Sequence, residues 1–197
     1  MKQTSGIAKN SAMLMAMNIA KMIFPLLTLP YLTRVLSTDC YGSVVYVKSV
    51  TAYLQLLVDF GFVLSATKEI VRVRHDKAAQ EKIMGDVLLA RLWLAGAALV
   101  ILVVLTAVLP ILRARPLLSL LSFLPVFLTL FLFDFLFRGM ERMEAIALRF
   151  VVMRGIATAL TFVLIRSDAD VLLIPLLDTL GSLVAVLMVF PQLHRLG

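Results

Sequence analysis

Four ionisable side chains stand deep inside otherwise apolar stretches of this sequence: Lys21, Lys48, Arg154 and Asp178. Placing such a group at the centre of a membrane helix costs about 2.5–3.5 kcal/mol, so each needs a partner, a watery cavity or a ligand. Asn18, Lys21 and Pro25 are spaced three and four apart, which puts them on one helical face directed toward a bundle interior or a cavity. Three cations against one acid make an electropositive interior. That chemistry suits capture of an anionic substrate better than a proton relay, which draws on carboxylates and histidines. The competing structural reading pairs Arg154 with Asp178 across neighbouring helices and lets Lys21 or Lys48 snorkel toward the headgroups.

A second group of charges lies toward the ends of the apolar stretches. Asp59, Phe60 and Gly61 spell D-F-G, which in protein kinases holds magnesium. No glycine-rich phosphate loop, H-R-D sequence or V-A-I-K strand accompanies it, so the kinase reading fails. Asp59 is instead placed to meet the basic segment that follows it or to pair with Arg91, and Gly61 to permit close helix approach. Structural pairing is the preferred role for Asp59, with transport chemistry second. Asp134 and Arg138 are four apart on one helical face, which predicts a local salt bridge. Gly139, Glu141, Arg142 and Glu144 then predict a tight turn, either a coupling hinge or an ordinary helical hairpin.

Nothing converges for catalysis. His75 and His194 sit at segment edges without acid, base or metal partners, and the single Cys40 excludes an internal disulfide and a multi-cysteine metal site. No catalytic residue, metal or cofactor is expected.

The elements that must hold these side chains follow from composition. With 61% hydrophobic and only 16% charged residues, the chain lies far outside the roughly 45–50% apolar and about 25% charged of soluble domains, and 197 residues cannot hide several such helices in a soluble interior. The expected fold is all-α, a polytopic membrane bundle in which residues 1–197 form a single unit of six spans. The spans fall at about residues 11–36, 41–66, 84–109, 117–138, 144–165 and 171–192, each near the ~20 residues that cross a hydrocarbon core. The first runs too far past Asn18 and Lys21 for a cleaved signal peptide, and Pro25 and Pro30 should kink or divide it.

A formal charge of +7 invites a nucleic-acid reading, but the basic residues are scattered between spans instead of forming one face. Membrane orientation explains the scatter. With the N-terminus inside, Lys2, Lys9, Lys68, Arg72, Arg74, Lys77, Lys82, Arg138, Arg142 and Arg195 are cytoplasmic, against only Arg34, Arg113, Arg115 and Arg166 outside. Both termini are therefore expected in the cytoplasm. The segment 67–82 becomes the cytoplasmic link between spans two and three, either a short amphipathic helix along the headgroups or a solvated loop.

Taken in order, Pro25-Leu-Leu-Thr-Leu-Pro30-Tyr-Leu-Thr-Arg34, Tyr41-Gly42, Asp59-Phe-Gly61 and Phe137-Arg-Gly139-Met-Glu141-Arg-Met143 resemble bacterial O-antigen and polysaccharide flippases. These belong to the multidrug, oligosaccharidyl-lipid and polysaccharide exporter superfamily. The resemblance covers nearly the whole chain and lies in order and spacing. It implies a carrier in the bacterial inner membrane that moves undecaprenyl-pyrophosphate-linked oligosaccharide repeat units between leaflets, through a cavity lined by cations such as Lys21, Lys48 and Arg154. It also implies partners: membrane lipid, the lipid-linked glycan, polysaccharide assembly machinery, and a second lobe or a self-copy. Two departures stand out. Arg138 occupies a position where the family commonly has glutamine, with no tryptophan before it, and six spans correspond to an N-terminal lobe where the family has two lobes. The alternatives are a truncated, non-transporting membrane protein and a drug or cation antiporter of the same superfamily, which would want more membrane carboxylates than Asp178.

Overall fold

The computed structural model describes the backbone of residues 2–194 and the side chains of residues 11–193. Lys2, Lys9, His194 and Arg195, four of the residues bearing on orientation and catalysis, have side chains outside that described set. Among the described residues every regular element is helical: α1 (Lys2–Val35), α2 (Thr38–Asp59), α3 (Phe62–Arg72), α4 (Lys77–Val108), the short α5 (Pro110–Arg113), α6 (Pro116–Leu121) and α7 (Phe123–Leu128), a 3-10 turn at Thr129–Leu132, α8 (Asp134–Gly139), α9 (Met143–Leu164), a 3-10 turn at Asp168–Leu172, and α10 (Leu173–His194). They group into six segments long and apolar enough to cross a membrane; four lie within a few residues of the expected spans, while the second runs on to Arg72 and the third starts earlier, at Lys77.

Helix α1 runs unbroken through Pro25 and Pro30, so the first span is not divided. Each proline removes one ladder bond, and threonine hydroxyls bond back to carbonyls one turn away. Thr28 donates to the carbonyls of Phe24 and Pro25, and Thr33 to those of Leu29 and Pro30. Helix starts elsewhere carry recognisable caps: Ser37 accepts the Cys40 amide before α2, and Asp76 accepts the Ala79 amide before α4.

Short links bring alternate helix ends together. At one end the Ser37 amide donates to Asp168 at 2.8 Å and the Tyr31 hydroxyl to the Ile165 carbonyl at 2.7 Å, over a core that includes Leu36, Cys40, Leu112 and Leu118. At the opposite end, α3 lies against α8 and the start of α4, with Ala66, Ile70, Val87, Phe135 and Leu136 as a separate small core. A Cβ at Gly139 would sit 2.5 Å from Ile70 Cγ2, so only glycine lets these two short helices meet so closely. Gly139 is thus a packing residue at the end of α8, and the turn beyond it is carried by Glu141 at φ 57°.

The second span differs from the single helix expected over 41–66. It breaks after Asp59, where Phe60 (φ 30°) and Gly61 (φ 77°) adopt left-handed backbone. Nothing lies within 4 Å of a Cβ built on Gly61, so this glycine serves backbone conformation and not close helix approach. Span four breaks similarly at Phe133 (φ 48°) before α8. The 22 residues of α2 already extend about 33 Å, enough for a hydrocarbon core, so α3 stands as a cap beyond it. Most of the expected link 67–82 is therefore helical, lying in α3 or α4, and only residues 73–76 intervene. Helix α3 buries Ala66 and Ile70 while Lys68, Glu69 and Arg72 are exposed.

Candidate functional site

Lys48 stands ten residues into α2, about 15 Å along its axis, and Arg154 halfway along α9. Asp178 on α10 meets both. Its Oδ2 lies 3.0 Å from Lys48 Nζ, and its Oδ1 accepts from Arg154 Nη1 at 3.0 Å. The α9–α10 approach that makes this possible depends on Gly181, where a Cβ would fall 2.5 Å from the Met153 carbonyl oxygen. Ser182 donates to the Asp178 carbonyl and Thr51 to that of Lys48, which occupies local polar groups and leaves the ionic ones to each other.

The three charges are unequally exposed. Asp178 keeps 19% of its side-chain surface, while Lys48 and Arg154 keep 46% and 43%. Both cations therefore have donors to spare for something other than Asp178. They line two cavities, one of about 260 Å³ that also holds Gln55 and Thr129, and one of about 220 Å³ bordered by Pro25 and Thr28 of α1. Two cations sharing one carboxylate leave a surplus positive charge near mid-span. Such an arrangement can attract and orient an anion through charge-assisted hydrogen bonds.

Lys21 and Asn18 are not part of this cluster. Lys21 Nζ lies 5.5 Å from the Phe150 ring centroid and borders a smaller cavity of about 90 Å³ with Asp134, Arg138 and Arg149. Asn18 is exposed and lines neither of the cavities that Lys48 and Arg154 border.

The charges at the helix breaks pair across elements. Arg91 Nη2 donates to Asp59 Oδ1 at 2.6 Å, which realises the Asp59 partner expected from the sequence. Gln55 donates to Asp59 Oδ2 at 3.0 Å and to Thr129 Oγ1 at 3.1 Å, so one amide joins this pair to the wall of the larger cavity. Asp134, by contrast, does not bond Arg138. It accepts from Arg149 Nη2 at 2.9 Å, because the left-handed turn at Phe133 starts α8 at Asp134 and α9 presents a nearly buried guanidinium there. Arg149 further donates to the carbonyls of Leu132 (2.8 Å) and Ala145 (3.2 Å) and stacks 4.4 Å from the Phe137 ring centroid.

Sequence reasoning missed Arg149 and Gln55. A signal existed for Arg149, an arginine one turn inside the fifth span and five residues before Arg154, which no short link could reach. Gln55 carries no charge and none of the membrane cost that flags one.

Residues 7–192 match the family described as polysaccharide biosynthesis protein. The chain is 28% identical over 178 residues to a Shigella dysenteriae protein named "Putative O-antigen transporter", which covers 90% of this chain and 44% of that protein. It is 26% identical over 164 residues to an Escherichia coli (strain K12) protein of the same name, covering 83% of this chain and 39% of that one. The chain thus spans less than half the length of these relatives. No solved structure matches it significantly. A family match that takes in nearly every described residue, on a chain with six segments fit to cross a bilayer, makes this a multi-pass membrane protein that belongs to the polysaccharide biosynthesis protein family.

Proposed function

We propose that this chain is one lobe of a carrier that passes lipid-linked oligosaccharide, held by its pyrophosphate, from the inner to the outer leaflet of the bacterial cytoplasmic membrane during surface polysaccharide assembly. The observation that carries this reading is the sharing of Asp178 between Lys48 and Arg154, each nearly half exposed to a cavity. A pyrophosphate offers both cations the same charge-assisted bonds that the carboxylate offers, with more oxygens and more charge. Asp178 is then a placeholder. It keeps the cations ionised and aimed while the cavity is empty, and yields when the headgroup enters. Engagement by two cations also disfavours Asp178 as the free carboxylate of a cation antiporter.

Orientation follows from charge: the end bearing Lys68, Arg72, Arg74, Lys77 and Lys82 lies in the cytoplasm, with both termini on that side. The name of the Shigella and Escherichia coli relatives supports O-antigen as the class of cargo. Alternating access requires a second lobe, a separate chain or a self-copy, to close the cavities that Lys48 and Arg154 face.

The test uses a two-lobe protein that carries this chain. Lys48→Gln and Arg154→Gln should each abolish flipping, read as lipid-linked repeat units accumulating on the inner leaflet, at undiminished membrane abundance. Lys48→Arg should retain more activity than Lys48→Gln, since the charge survives although the donor geometry changes. Normal flipping by the abundant double glutamine variant would overturn the proposal.

A further inference from the structure

We infer that a second oxyanion site lies between α1, α8 and α9, apart from the Lys48–Arg154 pair. The cavity of about 90 Å³ there is bordered by Lys21, Asp134, Arg138 and Arg149, and Met153 separates it from the larger cavity, lining both. Asp134 and Arg149 neutralise each other, and every donor nitrogen of Arg149 is engaged, by Asp134, Leu132 and Ala145. Among the described residues, Arg138 and Lys21 make no direct ion pair. Arg138 has its Nε buried with no hydrogen-bond partner among the described residues, and Lys21 rests on the Phe150 ring, a contact that uses none of its N–H donors.

A buried guanidinium N–H without an acceptor is costly, and three cations, Lys21, Arg138 and Arg149, share this cavity with the single carboxylate of Asp134. A single oxyanion resolves both, accepting from Arg138 and Lys21 together. The cavity is roomy enough to admit a tetrahedral phosphate group, since about 10–15 Å³ on this measure already holds one water. Free phosphate and the phosphate of a lipid headgroup share this chemistry.

The test is thermal unfolding of the purified chain. One arm titrates inorganic phosphate against chloride at matched ionic strength in dodecyl maltoside; the other compares phosphatidylcholine nanodiscs with and without phosphatidic acid. The expected result is a saturable rise of the unfolding midpoint by a few degrees. That rise should shrink several-fold in Arg138→Gln and in Lys21→Gln and persist in Arg138→Lys and in the exposed-cation control Arg72→Gln. A response to inorganic phosphate identifies a free oxyanion; a response confined to phosphatidic acid identifies a lipid headgroup. No rise in either arm, or a rise undiminished in both glutamine variants, overturns the proposal. Repeated in the Lys48→Gln background, where the transport pair is weakened, the rise should still appear and still shrink in Arg138→Gln and in Lys21→Gln, so this site and the transport reading fail separately.

Discussion

Arg91 on α4 holds Asp59 at 2.6 Å, one residue before α2 breaks into left-handed backbone. The guanidinium is 6% exposed and the carboxylate 31%, so the pair ties two spans together where one of them loses its ladder. Removing one partner strands the other in a low-dielectric site. Asp59→Asn should therefore destabilise the protein by about 3 kcal/mol, toward the lower end for a buried pair because Asp59 keeps some solvent. The double variant Asp59→Leu with Arg91→Met should recover most of that loss in a detergent melt. A single variant as stable as the parent would remove the structural role assigned to this pair.

Two glycines separate packing from propensity. Gly155 and Gly181 both lie within membrane helices, but a Cβ at Gly155 meets nothing nearer than Phe24 Cζ at 4.0 Å, whereas one at Gly181 falls 2.5 Å from the Met153 carbonyl oxygen. Gly155→Ala should stabilise by about 0.5–1 kcal/mol through helix propensity. Gly181→Ala must push α10 from α9, and with it Asp178 from Arg154. Its cost should exceed the propensity gain, read as a lower melting temperature.

The six spans were legible because hydrophobic content and span length report directly on what a bilayer demands, and the depths of Lys48, Arg154 and Asp178 were legible as unpaid membrane cost. The breaks at Phe60 and Phe133 were not. Left-handed backbone at a phenylalanine has no local signature, since it is imposed by packing of α3 and α8, and Gly61, which did signal it, reads equally well as a close-packing residue. Ion-pair partners were legible only where few candidates existed. Asp59 had Arg91 within reach of its helix end, but Asp134 had Arg138 on its own face, and the winning Arg149 comes from a separate element whose approach depends on the Phe133 turn.

Topology can be read with cysteine chemistry. Cys40, the single cysteine, is fully buried, so the parent chain should resist impermeant thiol reagents. His75→Cys, in the exposed link before α4, should label only after cells are opened, and Ala114→Cys, exposed near the other end of the bundle, should label in intact cells. The opposite pattern would invert the proposed orientation.

Expressed alone, residues 1–197 should insert yet fail to restore surface polysaccharide to a flippase-null strain. In that experiment the half-exposed faces of Lys48 and Arg154 would have no covering lobe, and a single lobe would have nothing to rock against. Restoration would establish self-association into a working carrier.

Asp178 separates placeholder from scaffold. If it only braces α10 against α2 and α9, Asp178→Asn should lower stability and weaken binding of an anionic lipid in whatever protein survives. A placeholder behaves differently, because it competes with the headgroup for the same two cations. The asparagine still occupies the space, but it no longer neutralises Lys48 and Arg154, which sit 3.0 Å away in the parent. An incoming pyrophosphate then meets two uncompensated charges and displaces nothing ionic, so binding should tighten by about tenfold, the equivalent of roughly 1.4 kcal/mol. Release should slow correspondingly, so a two-lobe protein carrying Asp178→Asn should bind lipid-linked pyrophosphate more tightly and flip it less often. Combining Asp178→Asn with Lys48→Gln restores the balance of charge at the site and should bring affinity back toward the parent. The measurement is titration of a pyrophosphate-bearing polyprenyl lipid into the detergent-solubilised protein, alongside turnover in vesicles. Weaker binding by a well-folded Asp178→Asn would assign this carboxylate to the scaffold and remove it from the headgroup site.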